Sequence, residues 1–232
     1  MTDPMPFTRY AVYVTPAPGA LADFGAAWLG WDPARGTTVP HPDIPGLPAP
    51  VADLTDTPRK YGLHATMKPP FALAPGATEA GLRDAFAAFC AATAPVTLDG
   101  LRVAPLGRFL ALRPVGDETG INALAAACVR ALEPFRAPLT GAETRRRRAG
   151  GLSPDQEARL VQWGYPHVMA GFRFHVTLTG PRPESELPAL RATLSAHLAP
   201  LLPRPWPVDA LSLMGEDGTG RFHLLHRHAL TA

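Results

Sequence analysis

The chain has 232 residues, of which 46% are hydrophobic and 18% are charged, a composition typical of globular proteins that excludes wholesale disorder. Its 22 basic and 20 acidic residues leave a formal charge of +2, which does not favour a dedicated duplex-DNA binder. No apolar run reaches the roughly 20 residues of a membrane span, and the N-terminus lacks the basic segment of a signal peptide. We therefore expect a cytoplasmic protein without a membrane partner.

Four residue types stand out in the composition. The 28 prolines and 21 glycines predict many loops and short elements. Only Lys60 and Lys68 are lysines, so each is a candidate for a specific role. Cys90 and Cys128 lie in separate apolar helical patterns, which favours buried thiols in a reducing compartment over a disulfide.

The predicted elements of the first half alternate strands with helices. Hydrophobic patterns place strands at 9–15, 64–68, 96–103 and 108–115, and helices at 21–29 and after Thr78. Residues 32–50 predict a loop, and Pro69-Pro70 is expected to end the second strand.

The second half begins with helices and returns to the earlier pattern. Apolar residues at helical spacing predict a helix over 121–132. Ser153 is a good cap, with proline after it and glutamine three residues later, so a second helix is expected from there to Trp163. The remaining elements are predicted as a strand at 172–178, a helix at 187–198 and strands at 208–214 and 221–230.

These patterns indicate an internal duplication. His64-Ala65-Thr66-Met67 parallels His175-Val176-Thr177-Leu178, and each is followed by a helix, a strand, a turn and a strand that begins with Arg-Phe. The repeat units span roughly 60–115 and 172–230. Two copies of a long unit predict two similar lobes within one domain over 1–232, with the matching polar residues facing each other.

The repeated His-x-Thr carries the chemistry. Residues two apart on a strand share a face, so each histidine lies beside its threonine and the residues between them face an apolar side. With 19 threonines and 8 histidines, the motif is expected about 0.7 times by chance, so its weight comes from the equivalent positions of the two copies. Histidines that only cap or pack in a sheet are the structural alternative.

Two histidines across one cleft suit phosphate-ester chemistry without a metal ion. The pKa of an unperturbed histidine is near 6.5, so one imidazole can accept a proton while the other donates one. The threonine hydroxyls can donate hydrogen bonds to non-bridging phosphate oxygens. Which histidine is the base and which is the acid stays open.

Longer segments around these motifs resemble one family. The matching segments are Arg9–Tyr13, Phe24–Gly30, Tyr61–Phe71, Pro134–Thr140, Trp163–Pro166 and Phe172–Gly180. They resemble the 2H phosphoesterase superfamily, which includes RNA 2′,5′-ligase-like and cyclic-nucleotide phosphodiesterase proteins. The closer likeness is to a bacterial branch encoded with phosphonate-degradation operons.

This resemblance implies a fold and a site. The implied fold is bilobed α+β, with antiparallel sheets lining a central cleft and helices packed outside. The implied reaction is cleavage of 2′,3′- or related cyclic phosphodiesters without a metal or cofactor. His64, Thr66, His175 and Thr177 carry over as the catalytic motif residues.

Two further residues are candidates for substrate binding. Lys68 lies two residues beyond Thr66 and shares its face if the strand continues, where it either binds phosphate or ends a solvated strand. Tyr13 lies on the opposite face of the first strand from Tyr10, which shares its face with two valines, so Tyr13 is the candidate for the cleft.

Two basic clusters have competing interpretations. The run Arg145–Arg148 either gates the cleft and attracts phosphorylated substrate or RNA, or forms a solvated face before a helix, which is the favoured interpretation. His223, His226 and His228 suggest a metal site, but His223 points away from the other two and no cysteine or acidic residue completes a set, so no metal is expected.

The sequence therefore predicts a phosphoesterase that hydrolyses a small cyclic phosphodiester, with an association to phosphonate metabolism. Two alternatives stay open: a non-catalytic binder of RNA ends or of a phosphorylated metabolite, and RNA ligation of the 2′,5′ type. A binder needs no acid/base pair, and the modest net charge disfavours a long RNA track.

Overall fold

The computed structural model describes residues 7–232. Its strands are β1 (Arg9–Val14), β2 (Trp31–Asp32), β3 (Thr37–Thr38), β4 (Ala65–Phe71), β5 (Val96–Leu98), β6 (Gly100–Leu106), β7 (Phe109–Val115), β8 (Val176–Thr177), β9 (Trp206–Val208), β10 (Ala210–Glu216) and β11 (Phe222–Ala229). Its α-helices are α1 (Ala20–Leu29), α2 (Val51–Leu54), α3 (Glu79–Ala91), α4 (Thr119–Ala131), α5 (Gly141–Arg148), α6 (Pro154–Trp163) and α7 (Leu187–Leu198).

A seven-stranded antiparallel sheet forms the centre of the molecule. Its strand order is β11-β10-β1-β4-β8-β7-β6. The strands β4 and β8 meet in the middle through the pair Ala65 and Val176. The expected α+β class with antiparallel strands is confirmed, and the strands of the two halves join edge to edge into this one sheet.

The two faces of the central sheet differ in character. Ala65 and Val176 belong to the main hydrophobic core, which also contains the buried residues of α3, α4 and α7. The opposite face carries a small separate cluster: Ala11, Tyr13, Met214 and Phe222. Because the helical core covers only one face, the other face is left to form a cleft.

The order of elements after β4 recurs after β8. In both halves a helix, a short strand and a hairpin follow, namely α3, β5 and β6–β7 in the first and α7, β9 and β10–β11 in the second. Each hairpin lies on the side of the other half's motif strand. In the sheet, β7 of the first half pairs with β8 of the second, and β10 of the second half is connected to β4 of the first through β1. The helices follow this arrangement: α3 packs on β10 and β11, and α7 on β6 and β7. The duplication itself stays a prediction.

Several strands differ from their predictions, and the two motif strands differ in length. The strand β4 continues through Pro69 and Pro70 to Phe71, although the prolines were expected to end it. The strand β8 is short and pairs with β4 only at Ala65. On the side of β4 that faces β8, the prolines therefore have no partner strand that would need their missing N–H groups. The predicted strand 172–178 is reduced to Val176–Thr177, because Phe172 belongs to a preceding turn and donates its N–H to Met169 O at 2.9 Å.

All five predicted helices are present within residues 7–232. The helix α6 begins with the expected capping box of Ser153 and Gln156 and ends at Gly164 in the left-handed conformation. Cys90 and Cys128 are both buried and free, as predicted. Over the described part of the chain, no helix is both long and apolar enough to cross a membrane.

Candidate active site

The register between β4 and β8 brings the two His-x-Thr motifs together. Ala65 lies opposite Val176, so continuing the register by one residue places His64 opposite Thr177 and Thr66 opposite His175. Residues directly opposite each other in an antiparallel pair point to the same face, with Cβ atoms about 4.5–5.5 Å apart. All four side chains therefore leave the sheet on the face away from the main core.

These four residues line one cleft of about 890 Å³. Its walls come from the strands, from the turn that contains Tyr61, from the start of α6 and from the loop 165–173. The residues that line it include Tyr13, Tyr61, His64, Thr66, Phe109, Asp155, Arg159, Tyr165, His167, Arg173, His175 and Thr177. This volume lies within the range of small-molecule sites.

Backbone carbonyls fix the tautomer of both histidines in the same way. His64 Nδ1 lies 2.9 Å from Gly62 O, and His175 Nδ1 lies 2.7 Å from Arg173 O. A carbonyl oxygen only accepts hydrogen bonds, so each Nδ1 carries the proton and donates it. In the neutral state each Nε2 is therefore left with its lone pair.

The surroundings of the two rings differ. The His64 ring stacks on Tyr13, with centroids 3.9 Å apart, and its Nε2 lies 3.2 Å from the Thr66 hydroxyl. The His175 ring has Phe109 at 6.1 Å between centroids. Among the described residues, no hydrogen bond to His175 Nε2 is formed.

Both imidazoles are easier to deprotonate than a free histidine. Burial is the main cause of a lowered pKa of His64, which falls to about 4, and the nearby His175 lowers it further while the Gly62 carbonyl opposes the shift. Burial also lowers the pKa of His175, with Arg113 adding to the effect and the Arg173 carbonyl opposing it. Both rings therefore favour the neutral form more strongly than a free histidine does.

Tyr13 lies in the cleft wall behind His64, as its position on β1 predicted. The side chain is fully buried, and its hydroxyl has no hydrogen-bond partner within residues 7–232. Burial raises the pKa of this hydroxyl well above its usual value, so it stays protonated. A role of Tyr13 in substrate binding stays a prediction.

Lys68 does not face the cleft, which corrects the expectation from strand parity. In the pairing of β1 with β4, Tyr13 lies opposite Thr66 but Val12 lies opposite Lys68, so Met67 forms a β-bulge. A bulge adds one residue to the strand and so reverses the alternation of side chains. The residues after it point to the face opposite to the one that strand parity predicts. Lys68 is 2% exposed, and its ammonium group donates to Val129 O at 3.1 Å and to Glu133 Oε2 at 2.9 Å.

The arginine run lies inside a helix instead of before one. The helix α5 starts at a capping box of Thr140 and Glu143 and ends with the four arginines. Arg145, Arg146 and Arg148 are exposed, whereas Arg147 is half-buried with its guanidinium carbon 4.8 Å from the centroid of the Tyr165 ring.

The histidines of β11 form contacts of other kinds. His223 Nε2 lies 2.8 Å from Asp217 Oδ2, and the rings of His226 and His228 are 6.1 Å apart. Over residues 7–232, no group of three or more side chains is arranged to hold a metal ion.

Sequence reasoning missed several residues of the cleft. Arg173 precedes His175 by two residues, so the parity that grouped His175 with Thr177 could have found it. Arg159 on α6 and Tyr165 in the following loop reach the cleft only through tertiary folding. No local pattern marks these two residues.

Comparison with known proteins places the chain in a family. Residues 66–223 match the family described as "Protein of unknown function (DUF1045)". Ribose 1,5-bisphosphate phosphokinase PhnN of Janthinobacterium sp. (strain Marseille) is 39% identical over 232 residues, covering 94% of this chain and 51% of that protein. The protein of the same name from Laribacter hongkongensis (strain HLHK9) is 37% identical over 220 residues, covering 91% and 49%. The chain thus spans about half the length of these relatives.

Two solved structures match this chain over nearly its whole length. The crystal structure of TT0787 of Thermus thermophilus matches with a TM-score of 0.43 and 18% identity, covering 96% of this chain and 97% of that one. The structure of E. coli LigT complexed with 3′-AMP has a TM-score of 0.44 and 16% identity, covering 97% and 99%. Because the match to residues 66–223 covers more than half of the sequence, the chain belongs to the family described as "Protein of unknown function (DUF1045)".

Proposed function

We propose that this chain is a phosphoesterase that hydrolyses a small cyclic phosphodiester without a metal ion. The observation that carries the proposal is the placement of two histidine–threonine pairs on one face of neighbouring strands, inside one cleft. Two imidazoles with a fixed tautomer supply a proton acceptor and a proton donor, a role typically worth about 10²–10⁴ in rate for each group. The resemblance to 2H phosphoesterases supports the same reaction.

In the proposed reaction, Nε2 of His64 takes a proton from water as the water oxygen attacks phosphorus. The bond from phosphorus to one ester oxygen breaks, and protonated His175 donates its Nε2 proton to that oxygen. When the substrate binds, the Thr66 hydroxyl turns from His64 Nε2 to the phosphate, so that the hydroxyls of Thr66 and Thr177 donate to non-bridging oxygens, where negative charge develops. The product is a phosphomonoester with a free hydroxyl, and proton exchange with water restores the two histidines.

The surroundings of the two rings support this assignment of base and acid. Because the pKa of His64 is about 4, its ring is neutral near pH 7 and its Nε2 accepts a hydrogen bond from the Thr66 hydroxyl. His175 Nε2 has no such donor within the described residues, so it is available to carry a proton. A bound phosphate anion raises the pKa of the ring beside it and favours that protonated state.

The assignment predicts the dependence of kcat/KM on pH. The rate should rise as pH increases through the pKa of His64, about 4, because the base must be neutral. It should fall as pH passes the pKa of His175, which lies below the usual 6.5, because the acid must be protonated. A pH–rate series should therefore peak on the acid side of neutrality, and a peak above pH 8 would contradict the assignment.

A phosphorylated ribose is the substrate class that we propose, within phosphonate metabolism. The curated relatives are named for a phosphorylated ribose, ribose 1,5-bisphosphate. Their kinase activity is not assigned to this chain, because neither lysine follows a glycine and the phosphate-binding sequence G-x-x-x-x-G-K-[ST] does not occur.

The test is hydrolysis of 2′,3′-cyclic nucleotides and ribose cyclic phosphates by EDTA-treated protein. Activity is expected in wild type and in His197→Ala, an exposed histidine on α7, and it should be lost in His64→Ala and His175→Ala. Loss of activity after EDTA treatment, or activity retained in both active-site variants, would refute the mechanism. Tight binding of RNA ends or phosphorylated metabolites without turnover of any diester would instead support the non-catalytic binder.

A further inference from the structure

Three basic side chains line the cleft beside His175 and have no part in the proposed proton transfers. They are Arg159 on α6 and His167 and Arg173 in the loop that leads into β8. Burial lowers the pKa of His167, and the two arginines lower it further, which agrees with a position close to both. The positive charge of the cleft is therefore concentrated at Arg159 and Arg173, on the side of the loop that leads to His175.

Arg159 is held in position by the loop that it faces. Its Nε donates to Pro166 O at 2.8 Å. A Cβ atom on Gly171 would lie 3.0 Å from the same Nε, so glycine leaves the space that the guanidinium occupies. A guanidinium has five N–H donors, and in the described structure the remaining donors of Arg159 form no hydrogen bond.

The loop itself has an unusual backbone. Met169, between His167 and Gly171, has φ of 54°, and it is the one described non-glycine residue with a positive value. Such conformations are energetically unfavourable and are found preferentially at functional sites. The turn brings the loop against Arg159 on one side and leads into the His175 motif on the other.

The charges of Arg159 and Arg173 are not neutralised by the protein. Among residues 7–232, no carboxylate oxygen lies within 4.0 Å of either guanidinium. Asp155 also lines the cleft, but it forms no ion pair with them. Arginine is well suited to bind phosphate, because its planar group donates two parallel hydrogen bonds.

We propose that Arg159, Arg173 and His167 form a second anion subsite, which binds a phosphate group that is not cleaved. This inference rests on the proposed function, and it narrows the substrate to a cyclic phosphodiester that carries a separate phosphomonoester. The cleft of about 890 Å³ has room for such a molecule. The scissile phosphate lies between the two histidines, and the second phosphate lies beyond His175.

The subsite can be tested by binding alone, with no need for turnover. Isothermal titration calorimetry would compare adenosine 2′-monophosphate with adenosine 2′,5′-bisphosphate on the full chain. Wild type should bind the bisphosphate about ten-fold more tightly or better, since hydrogen bonds between charged groups are strong. Arg159→Gln and Arg173→Gln should each reduce this ratio towards one.

Arg145→Gln is the matched control, because Arg145 is exposed on α5 and lies outside the cleft lining. It should keep the wild-type ratio. Arg173→Gln tests the subsite in a loop that should keep its structure, since the Arg173 side chain forms no hydrogen bond in the described structure. Equal affinity of wild type for the two ligands, no measurable binding of either, or a ratio unchanged in both variants would overturn the subsite. A wild-type preference without hydrolysis of any cyclic diester would keep the subsite and refute the proposed function.

Discussion

The two halves of the cleft hold the same motif in different ways. His64 is stacked on Tyr13 and accepts a hydrogen bond from Thr66, whereas His175 has Phe109 further away and an unoccupied Nε2 within the described residues. In both halves the carbonyl two residues before the histidine fixes its tautomer. The shared feature sets which nitrogen faces the cleft, and the differing neighbours allow the two rings to take opposite roles.

Residues at equivalent motif positions show where the halves diverge. Two residues before the histidine, the first half has Gly62 with φ of 71° and the second has Arg173. Four residues after the histidine, the first has Lys68 and the second Thr179, and both side chains are buried. The difference that reaches the cleft is therefore Arg173, which adds positive charge on the side of the proposed acid.

The largest expected effect on kcat comes from removing the histidine of either half. His64→Ala and His175→Ala should each lower kcat by about 10²–10⁴, the usual contribution of a general acid or base. The double variant should lose less than the product of the two effects, because groups that act as a unit are not additive. Steady-state kinetics on a 2′,3′-cyclic nucleotide would measure all three.

Circular dichroism would establish that these variants fold. If one histidine variant kept full activity, the cleft would contain a single functional half and the comparison would fail. His197→Ala provides the baseline for a histidine outside the cleft.

The threonines should show a smaller and unequal effect. Thr66→Val and Thr177→Val should each lower kcat by about 10²–10³, the range seen when one donor to a developing charge is removed. Only Thr66→Val should also raise the pKa of its histidine, because the Thr66 hydroxyl bonds to neutral Nε2 and stabilises that form. Titration of both rings by NMR would measure this, and equal shifts in the two variants would contradict the asymmetry.

Much of the fold could be predicted from local patterns. The helix α6 follows from the serine cap and the proline after it, and the strands of both hairpins follow from alternating residues. The helix α5 could not be predicted from apolar spacing, because it has no buried residue and begins at a capping box alone. The strand β8 is short because the turn that includes Phe172 precedes it, and the alternating pattern of its own residues does not encode that turn.

The candidate site shows the same limit. Parity was sufficient to group His64 with Thr66 and His175 with Thr177, because it is a local property of each strand. Parity failed for Lys68, since the bulge at Met67 exists only in the pairing with β1. Arg159 enters the cleft from a helix sixteen residues before His175 in the sequence, and only the folded loop reveals it.

The equivalent positions Lys68 and Thr179 should affect stability instead of catalysis. Lys68→Met leaves Val129 O without its donor and removes one partner of Glu133, so it should lower the free energy of unfolding by about 2 kcal/mol. Thr179→Val removes the acceptor of the Leu110 N–H and should cost about 1 kcal/mol. Urea unfolding would measure both. A large fall in kcat/KM of folded Lys68→Met, without loss of stability, would indicate that Lys68 faces the cleft and contacts the substrate.

The smallest effect concerns Tyr13, which supports His64 and has no stacked counterpart beside His175. Its hydroxyl is buried and has no partner among the described residues, and an unmet hydrogen-bonding group of this kind costs about 1–3 kcal/mol. Tyr13→Phe removes that group and keeps the ring stacked on His64, so the melting temperature should rise by about 2–4 °C for each kcal/mol regained. A lower melting temperature would show that the hydroxyl is satisfied in solution. A fall in kcat/KM of more than about ten-fold, with the melting temperature raised, would assign the hydroxyl to substrate binding, and the two halves would then differ in substrate contact as well as in proton transfer.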